Sequence, residues 1–304
     1  METLDGVLLV DKPEGPTSHD MVALARRCLG TRRVGHAGTL DPMATGLLVL
    51  MIGRATRLAP FLSGMDKVYR GVLRLGLETD TYDRAGTPQG PPREVTVTRA
   101  ELVEAFTRFH GTVSQTPPIF SAKKVRGTPM YVLARRQRPV SPIPALVTFR
   151  RLELLDLRGA DVEFEAEVSA GTYLRAFAHD LGQALGCGAH LHSLRRSTVG
   201  PFHVDAAITP ARLEESGPGA AARLVPLSTV PLGMPTLILT PSGMHAIRHG
   251  RPCGLQDISS PRPPLPLGRC CLQGPEGTLV AIGEVQVMAP AGARPIVRPQ
   301  IVFG

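Results

Sequence analysis

Tryptophan is absent from this 304-residue chain, and four tyrosines and nine phenylalanines bring its aromatic share to only 4%. Also missing is any apolar run near the ~20 residues that a membrane-spanning helix needs. Leu47 to Ile52 has only the length of a strand. The opening residues, Met1-Glu2-Thr3-Leu4-Asp5, carry acids where a signal peptide carries bases, which predicts a cytoplasmic protein. Five cysteines, Cys28, Cys187, Cys253, Cys270 and Cys271, are odd in number and contain no C-x-x-C pair, so neither a disulfide framework nor a zinc site is expected. His190-x-His192 lacks neighbouring Cys or carboxylate partners and reads as a polar surface pair or a nucleic-acid contact rather than a metal site. No metal is therefore expected. A Walker loop, a G-x-G-x-x-G after the first strand, H-E-x-x-H and G-x-S-x-G are all lacking, which removes nucleotide triphosphate, dinucleotide, zinc hydrolase and serine hydrolase chemistry.

What is present begins with charge. A formal net charge of +8 and a pI near 9.7 favour a polyanionic partner, because Lys and Arg displace counterions from phosphates. Only Lys12, Lys67, Lys123 and Lys124 are lysines, and the arginine excess carries no functional information by itself. The length and the 43% hydrophobic content suit two domains, with a boundary expected in the Pro- and Ser-rich stretch 216–235.

Residues 6–10 read as a strand, and Ser18 is the expected N-cap of a helix whose apolar face is Met21, Val22, Leu24, Ala25, Cys28 and Leu29, stopped by Gly30. Between that helix and a buried strand at 46–53 lies Gly35-His36-Ala37-Gly38-Thr39-Leu40-Asp41-Pro42-Met43-Ala44-Thr45-Gly46-Leu47. Gly35, Gly38 and Gly46 are expected at positive φ, and Pro42 pushes Asp41 out of helical geometry, so one carboxylate is presented from an irregular turn. A second strand is expected at 67–77. Thr98-x-x-Glu101 is a capping box for a helix with Leu102, Ala105, Phe106 and Phe109 inward. Residues 115–144 are rich in proline and cations, with a short helix expected within 129–137; they read either as a solvated insertion or as a cationic flap over nucleic acid. Val162, Phe164, Ala166 and Val168 alternate with glutamates in a half-buried strand, and Thr172 is the expected cap of a helix reaching Leu185. The last ~70 residues hold short strands between glycine and proline turns, a small β-barrel or sandwich.

Asp41 is the first candidate for chemistry, since a carboxylate held on a rigid turn acts as nucleophile or base without a cofactor. The same Asp-Pro pair also reads as a plain solvent turn. Arg175, starting a helix just after a strand, is placed either to pair with a carboxylate from another loop or to face solvent. Tyr69 and Tyr173 offer flat rings that suit stacking on a base drawn from its helix, or ordinary core packing. These residues alone leave two readings: glycosidic-bond chemistry on RNA, or a structural turn in a passive RNA binder.

Six ordered motifs then narrow the choice. Residues 35–46 resemble the G-H-x-G-x-L-D-P-x-A-x-G signature of the bacterial tRNA pseudouridine-55 synthases, the TruB family. Lys12-Pro13-x-Gly15 resembles the family's K-P-x-G motif, Asp66-Lys67-Val68-Tyr69-Arg70 its D-K-x-Y-R, and Thr79 to Gly86 its T-D-T-x-D-x-x-G. Gly171-Thr172-Tyr173-Leu174-Arg175 and the run from Leu185 to Arg196 are similar to its two later motifs. The likeness spans residue 5 to about 210.

The resemblance implies an α+β fold: a mixed, mainly antiparallel central sheet flanked by helices and loops over residues 1–232, with 115–144 as an RNA-gripping thumb, and a small C-terminal β-rich PUA-like domain over 235–304. It implies isomerisation of one uridine in the T arm of tRNA. Asp41 would be the catalytic nucleophile or ribose base, Arg175 its ion-pair partner, and Tyr69 the stacking ring that takes the carbon 5 proton. His36, Tyr173 and Leu194 would hold the extruded nucleotide and line the uracil pocket. Lys123, Lys124, Arg126, Arg135 and Arg136 become candidates for RNA contact. The expectation is a monomer acting on the T stem-loop with no cofactor, no membrane and no obligate protein partner. One departure is Pro129-Met130-Tyr131, where the family usually carries a Lys or Arg ahead of the tyrosine.

Overall fold

The computed structural model describes residues 4–121, 123–125, 127–135, 142–261, 264–287 and 295–303. The elements, in chain order, are β1 (Gly6–Lys12), α1 (Ser18–Leu29), β2 (Val34–His36), β3 (Thr45–Ile52), α2 (Ala59–Ser63), β4 (Lys67–Leu75), α3 (Arg99–Thr107) and β5 (Gly111–Gln115). Then follow β6 (Lys124–Val125), β7 (Thr128–Pro129), α4 (Met130–Arg135), β8 (Ala145–Arg158), β9 (Asp161–Val168), α5 (Leu174–Ala184), β10 (Ala189–Val199), β11 (Phe202–His203) and α6 (Pro210–Ser216). The chain closes with β12 (Val225–Pro226), β13 (Thr236–Leu239), α7 (Pro241–Arg248), β14 (Ile258–Ser260), β15 (Gly268–Gln273), β16 (Leu279–Val287) and β17 (Pro295–Val302).

Ten strands form the main sheet in the order β12-β1-β3-β10-β4-β9-β8-β5, with β2 on β3 and β11 on β10. Its pairs are antiparallel except β3 with β10, where Arg195 faces Thr45 and Arg196 faces Gly46. This is the mixed, mainly antiparallel sheet implied by the resemblance. β1 and β3 are apolar at nearly every position because both faces are covered. Leu8, Val10, Leu48 and Leu50 pack with α1 and α5 on one face. Val7, Leu9, Leu47 and Val49 join a second cluster on the other face that includes Cys271, Leu279, Ile282 and Phe303 of the C-terminal region. Under the first face, Phe177 of α5 sits among the rings of Phe106, Phe109, Phe149 and Phe164, with centroids 5.0 to 5.6 Å away.

A five-stranded sheet, β14-β13-β15-β16-β17, makes up the C-terminal region with its own core around Leu237, Leu239, Ile247, Leu272 and Val285. The 216–235 stretch contains short 3-10 turns and β12, which pairs with the edge of β1. No helix among the described residues is long and apolar enough to cross a membrane.

Several local expectations shift. The α1 cap is Thr17, which accepts from the Asp20 N–H in a full capping box; Ser18, one residue on, turns inward. The Thr172 hydroxyl donates to the Ser169 carbonyl instead of capping α5, which begins at Leu174 after an N-cap, Tyr173, with no side-chain bond of its own. His190 is buried, its Nδ1 against the Leu77 carbonyl, because its strand is central rather than superficial. Gly38 and Gly46 do take positive φ, +131° and +99°, whereas Gly35 lies in β2 with ordinary strand backbone.

Candidate active site

The loop carrying Asp41 is fastened from beneath. Lys12, with no exposed surface, donates its ammonium to the carbonyls of Pro13, Pro16 and Pro42 at 2.8, 2.9 and 3.3 Å. One cation thus ties the turn after β1 to the Asp41-Pro42 turn, and burial pushes its pKa down to about 8. Ser18 exchanges two hydrogen bonds with the Leu40 peptide, donating at 2.9 Å and accepting at 2.8 Å. Gly15 N–H donates to Pro42 O, and Ala44 N–H to Asp41 O. Asp41 therefore has fixed backbone on both sides.

Arg175, in the first turn of α5, meets it. Arg175 Nε lies 2.8 Å from Asp41 Oδ2, and Nη2 donates to Oδ1 at 3.1 Å. The rest of the guanidinium is occupied as well: Nη2 reaches Phe120 O at 3.0 Å, Nη1 reaches Thr81 O at 3.1 Å, and Asp83 Oδ2 lies 3.5 Å from Nη1. Tyr82, between Thr81 and Asp83, holds φ +63°, a strained conformation for a non-glycine residue that lets both neighbours face the guanidinium. The Arg175 side chain is 6% exposed and that of Asp41 35%, so the cation is sealed while the carboxylate keeps one open side. Burial pushes the Asp41 carboxyl above the usual aspartate range, with Arg175 pulling it down and Asp83 pushing it further up.

That open side faces a cavity of about 220 Å3 lined by Tyr69, Tyr173, Leu194, Lys67, Arg196 and the Gly38–Asp41 backbone among others. It is smaller than the 300–1,000 Å3 of drug-sized sites and suits a single small ring. Tyr69 on β4 faces Arg196 on β10, whose guanidinium carbon stands 6.0 Å from the ring centroid. Arg196 is 1% exposed; its Nε donates to Leu47 O at 2.7 Å and its Nη2 to Gly38 O at 3.1 Å. It therefore joins the Asp41 loop to the parallel seam between β3 and β10. Gly46 is required there, since a Cβ would collide with the Arg196 carbonyl oxygen. Lys67 donates to the Ser63 and Met65 carbonyls at 3.0 and 2.6 Å, and burial with the nearby Arg196 lowers its pKa to about 8. Burial raises the Tyr173 phenol, opposed by the nearby Ser121 hydroxyl and by Arg175.

Asp41, Tyr69, Arg175, Tyr173 and Leu194, 153 residues apart at the extremes of sequence, thus share one pocket wall. His36 is not on that wall. It sits half-buried at the end of β2 opposite Leu50, with Nδ1 buried and unpaired, and burial lowers its pKa, as do Arg196 and His19. Of the RNA-contact candidates, Lys123 donates to the Ile143 carbonyl at 3.1 Å, Lys124 lies in β6 and Arg135 ends α4. Arg126 and Arg136 fall outside the described residues. Lys12, Lys67, Asp83 and Arg196 were not singled out from sequence as site residues. Their only signal was membership of the same motifs, K-P-x-G, D-K-x-Y-R, T-D-T-x-D and L-R-R.

Comparison with known proteins places these motifs in one lineage. The profile described as TruB family pseudouridylate synthase (N terminal domain) matches residues 26–174, and that of the tRNA pseudouridylate synthase B C-terminal domain matches residues 175–218. The tRNA pseudouridine synthase B of Solibacter usitatus is 45% identical over 93% of this chain and 96% of its own length. That of Opitutus terrae is 45% identical over 74% of this chain and 93% of its own. Among solved structures, a Cbf5-Nop10-Gar1 complex contains a chain superposable at TM-score 0.75 with 26% identity, covering 98% of this chain and 85% of that one. An H/ACA RNP bound to a substrate RNA containing 2'-deoxyuridine gives TM-score 0.74 at 25% identity, covering 99% and 86%. With both profiles meeting at Arg175, the residue that grips Asp41, the chain belongs to the TruB family of pseudouridylate synthases.

Proposed function

We propose that this enzyme isomerises uridine 55 in the T arm of tRNA to pseudouridine, with Asp41 as the reacting group, acting in the cytoplasm as a single chain without a protein partner. The observation that carries the reading is the Asp41–Arg175 pair: a carboxylate with one open side, sharing with Tyr69 the wall of a ring-sized cavity. A base stacked in a folded stem-loop hides its reacting atoms, so the target nucleotide has to leave the stack, at a cost of a few kcal/mol. Tyr69 offers a ring against the extruded uracil, Tyr173 and Leu194 line the uracil pocket with it, and His36 helps hold the extruded nucleotide.

The carboxylate serves either as nucleophile at the ribose or as base toward it. In both routes the bond from nitrogen 1 to the sugar breaks, uracil turns, and carbon 5 joins the same sugar carbon. The carbon 5 proton passes to Tyr69 or to water, and nitrogen 1 gains one, so the product is an isomer. Arg175 keeps the carboxylate ionised against its burial. Lys123, Lys124, Arg126, Arg135 and Arg136, on the 115–144 thumb, supply cations for the stem-loop backbone. We divide the chain into a catalytic domain, 1–232, and an RNA-binding PUA-like domain, 235–304.

Loss of the carbon 5 hydrogen supplies a direct assay. A T stem-loop labelled with tritium at uridine carbon 5 should release label with the wild-type chain, and Asp41→Asn should release it at least about 1,000-fold more slowly while binding the RNA normally. Release at a near wild-type rate by Asp41→Asn would rule the assignment out.

A further inference from the structure

Gln115, the last residue of β5, is 4% exposed, and its carboxamide bonds both backbone groups of a single residue. Its Oε1 accepts from the Tyr173 N–H at 2.8 Å, and its Nε2 donates to the Tyr173 carbonyl at 3.1 Å. The pairing fixes which end of the amide is which, because a backbone N–H only donates and a carbonyl only accepts. Tyr173 has need of it. As the N-cap of α5 it makes no side-chain capping bond, and its N–H precedes the helix, so no intrahelical acceptor exists for it.

We propose that Gln115 is a positioning residue for the uridine pocket: its carboxamide clamps the Tyr173 backbone and so sets the pocket wall from the strand at the root of the 115–144 insertion. This rests on the function proposed above. The same short segment also reaches the next residues of α5. Phe120 lends its carbonyl to Arg175 Nη2, and buried Ser121 adjoins the Tyr173 phenol. Phe120 and Ser121 thus extend the contact of this segment to Arg175, while the Gln115 carboxamide itself bears on Tyr173 alone. β5 is the terminal strand of the sheet, hydrogen-bonded to β8 on one side only, so its far end is held in place by this clamp rather than by a second neighbour. A Gln serving only to seal a strand end would contribute to stability and not to rate.

The test uses the full chain and a T stem-loop transcript, measuring single-turnover rate at saturating RNA, RNA affinity by filter binding, and thermal unfolding. Gln115→Ala should lower the rate at least about tenfold, since small misplacements of a positioning group are costly, with affinity held within about threefold. Gln115→Glu keeps the acceptor but sets a carboxylate oxygen against the Tyr173 carbonyl, and its rate should fall at least as far. If Gln115→Ala does not fold, Gln115→Glu carries the comparison. In a Tyr173→Ala background, Gln115→Ala should change the rate by less than about twofold, because both act through one group. A rate at the wild-type level in both Gln115 variants, or the same loss with and without Tyr173, overturns the proposal. A wild-type chain that forms no pseudouridine overturns the function it rests on as well, and is seen before any variant is compared.

Discussion

At Asp41 two opposing effects meet on one carboxyl: burial favours the neutral acid, and Arg175 favours the ion. Burial is the larger, so the group ionises at a higher pH than the ordinary aspartate value of about 3.9. The sign for activity follows directly. In the function proposed above the ion is the working form, and protonation below the raised pKa removes it. The acid limb of the kcat/KM profile on T stem-loop RNA should therefore lie above pH ~4 and report a single ionisation. Arg175→Gln removes the charge that holds the pKa down, and should move that limb to still higher pH while lowering the plateau by roughly 100-fold. An unmoved limb in Arg175→Gln would mean the pair does not tune the carboxyl. Asp83 shares Arg175 from the other side, so the same variant strands a second buried carboxylate, and a stability loss of about 3 kcal/mol is expected in denaturant titration.

At the scale of elements, the site is a loop bolted to a sheet seam, and the bolts are cations bound to backbone carbonyls. Lys12 and Arg196 each join segments far apart in sequence, Lys12 to Pro42 and Arg196 to Gly38 and Leu47. Gly46 lets β3 and β10 approach at that seam. Gly46→Ala would force a side chain against the Arg196 carbonyl at φ +99°, and should cost about 3 kcal/mol or more of unfolding free energy with loss of activity. Wild-type stability in that variant would show that the seam tolerates displacement. These roles explain what was legible beforehand. Apolar periodicity announced the buried face of α1, the apolar run at 46–53 announced β3, and the glycine-proline loop announced Asp41. Lysine is ordinarily an exposed residue, so nothing in the periodicity marked Lys12 as fully buried. Its partners are carbonyls, which every residue owns and which leave no trace in a sequence pattern. Arg175 lies 134 positions from Asp41, and its place at a helix start left pairing with a carboxylate or facing solvent open until family likeness joined the two. Likewise Thr17 and Ser18 are chemically near-equivalent caps, and only the inward demand of the Leu40 peptide decided which of them caps α1.

Across the whole molecule, the main sheet is covered on one face by α1, α3 and α5 and on the other by a cluster that the C-terminal region completes. Phe303, 1% exposed, closes that cluster beneath Arg57, and Arg54 and Arg57 donate to the carbonyls of Phe303 and Val302. Residues at the very end of the chain thus cover the face of β1 and β3 whose opposite side carries the Asp41 loop and α1. Phe303→Ala should cost about 3–5 kcal/mol in chemical unfolding, as expected for an emptied aromatic site. A change below about 1 kcal/mol would mean the two regions are energetically separate. The central claim belongs to this scale too, because it joins a pocket lined by four of the motifs to one nucleotide of a folded RNA. Its most direct test is chemical mapping of pseudouridine, at single-nucleotide resolution, on an isolated T stem-loop transcript treated with the purified chain alone. The account predicts one modified position, uridine 55, with wild-type protein and none with Asp41→Asn; an unmodified transcript, or the same product from Asp41→Asn, would contradict it.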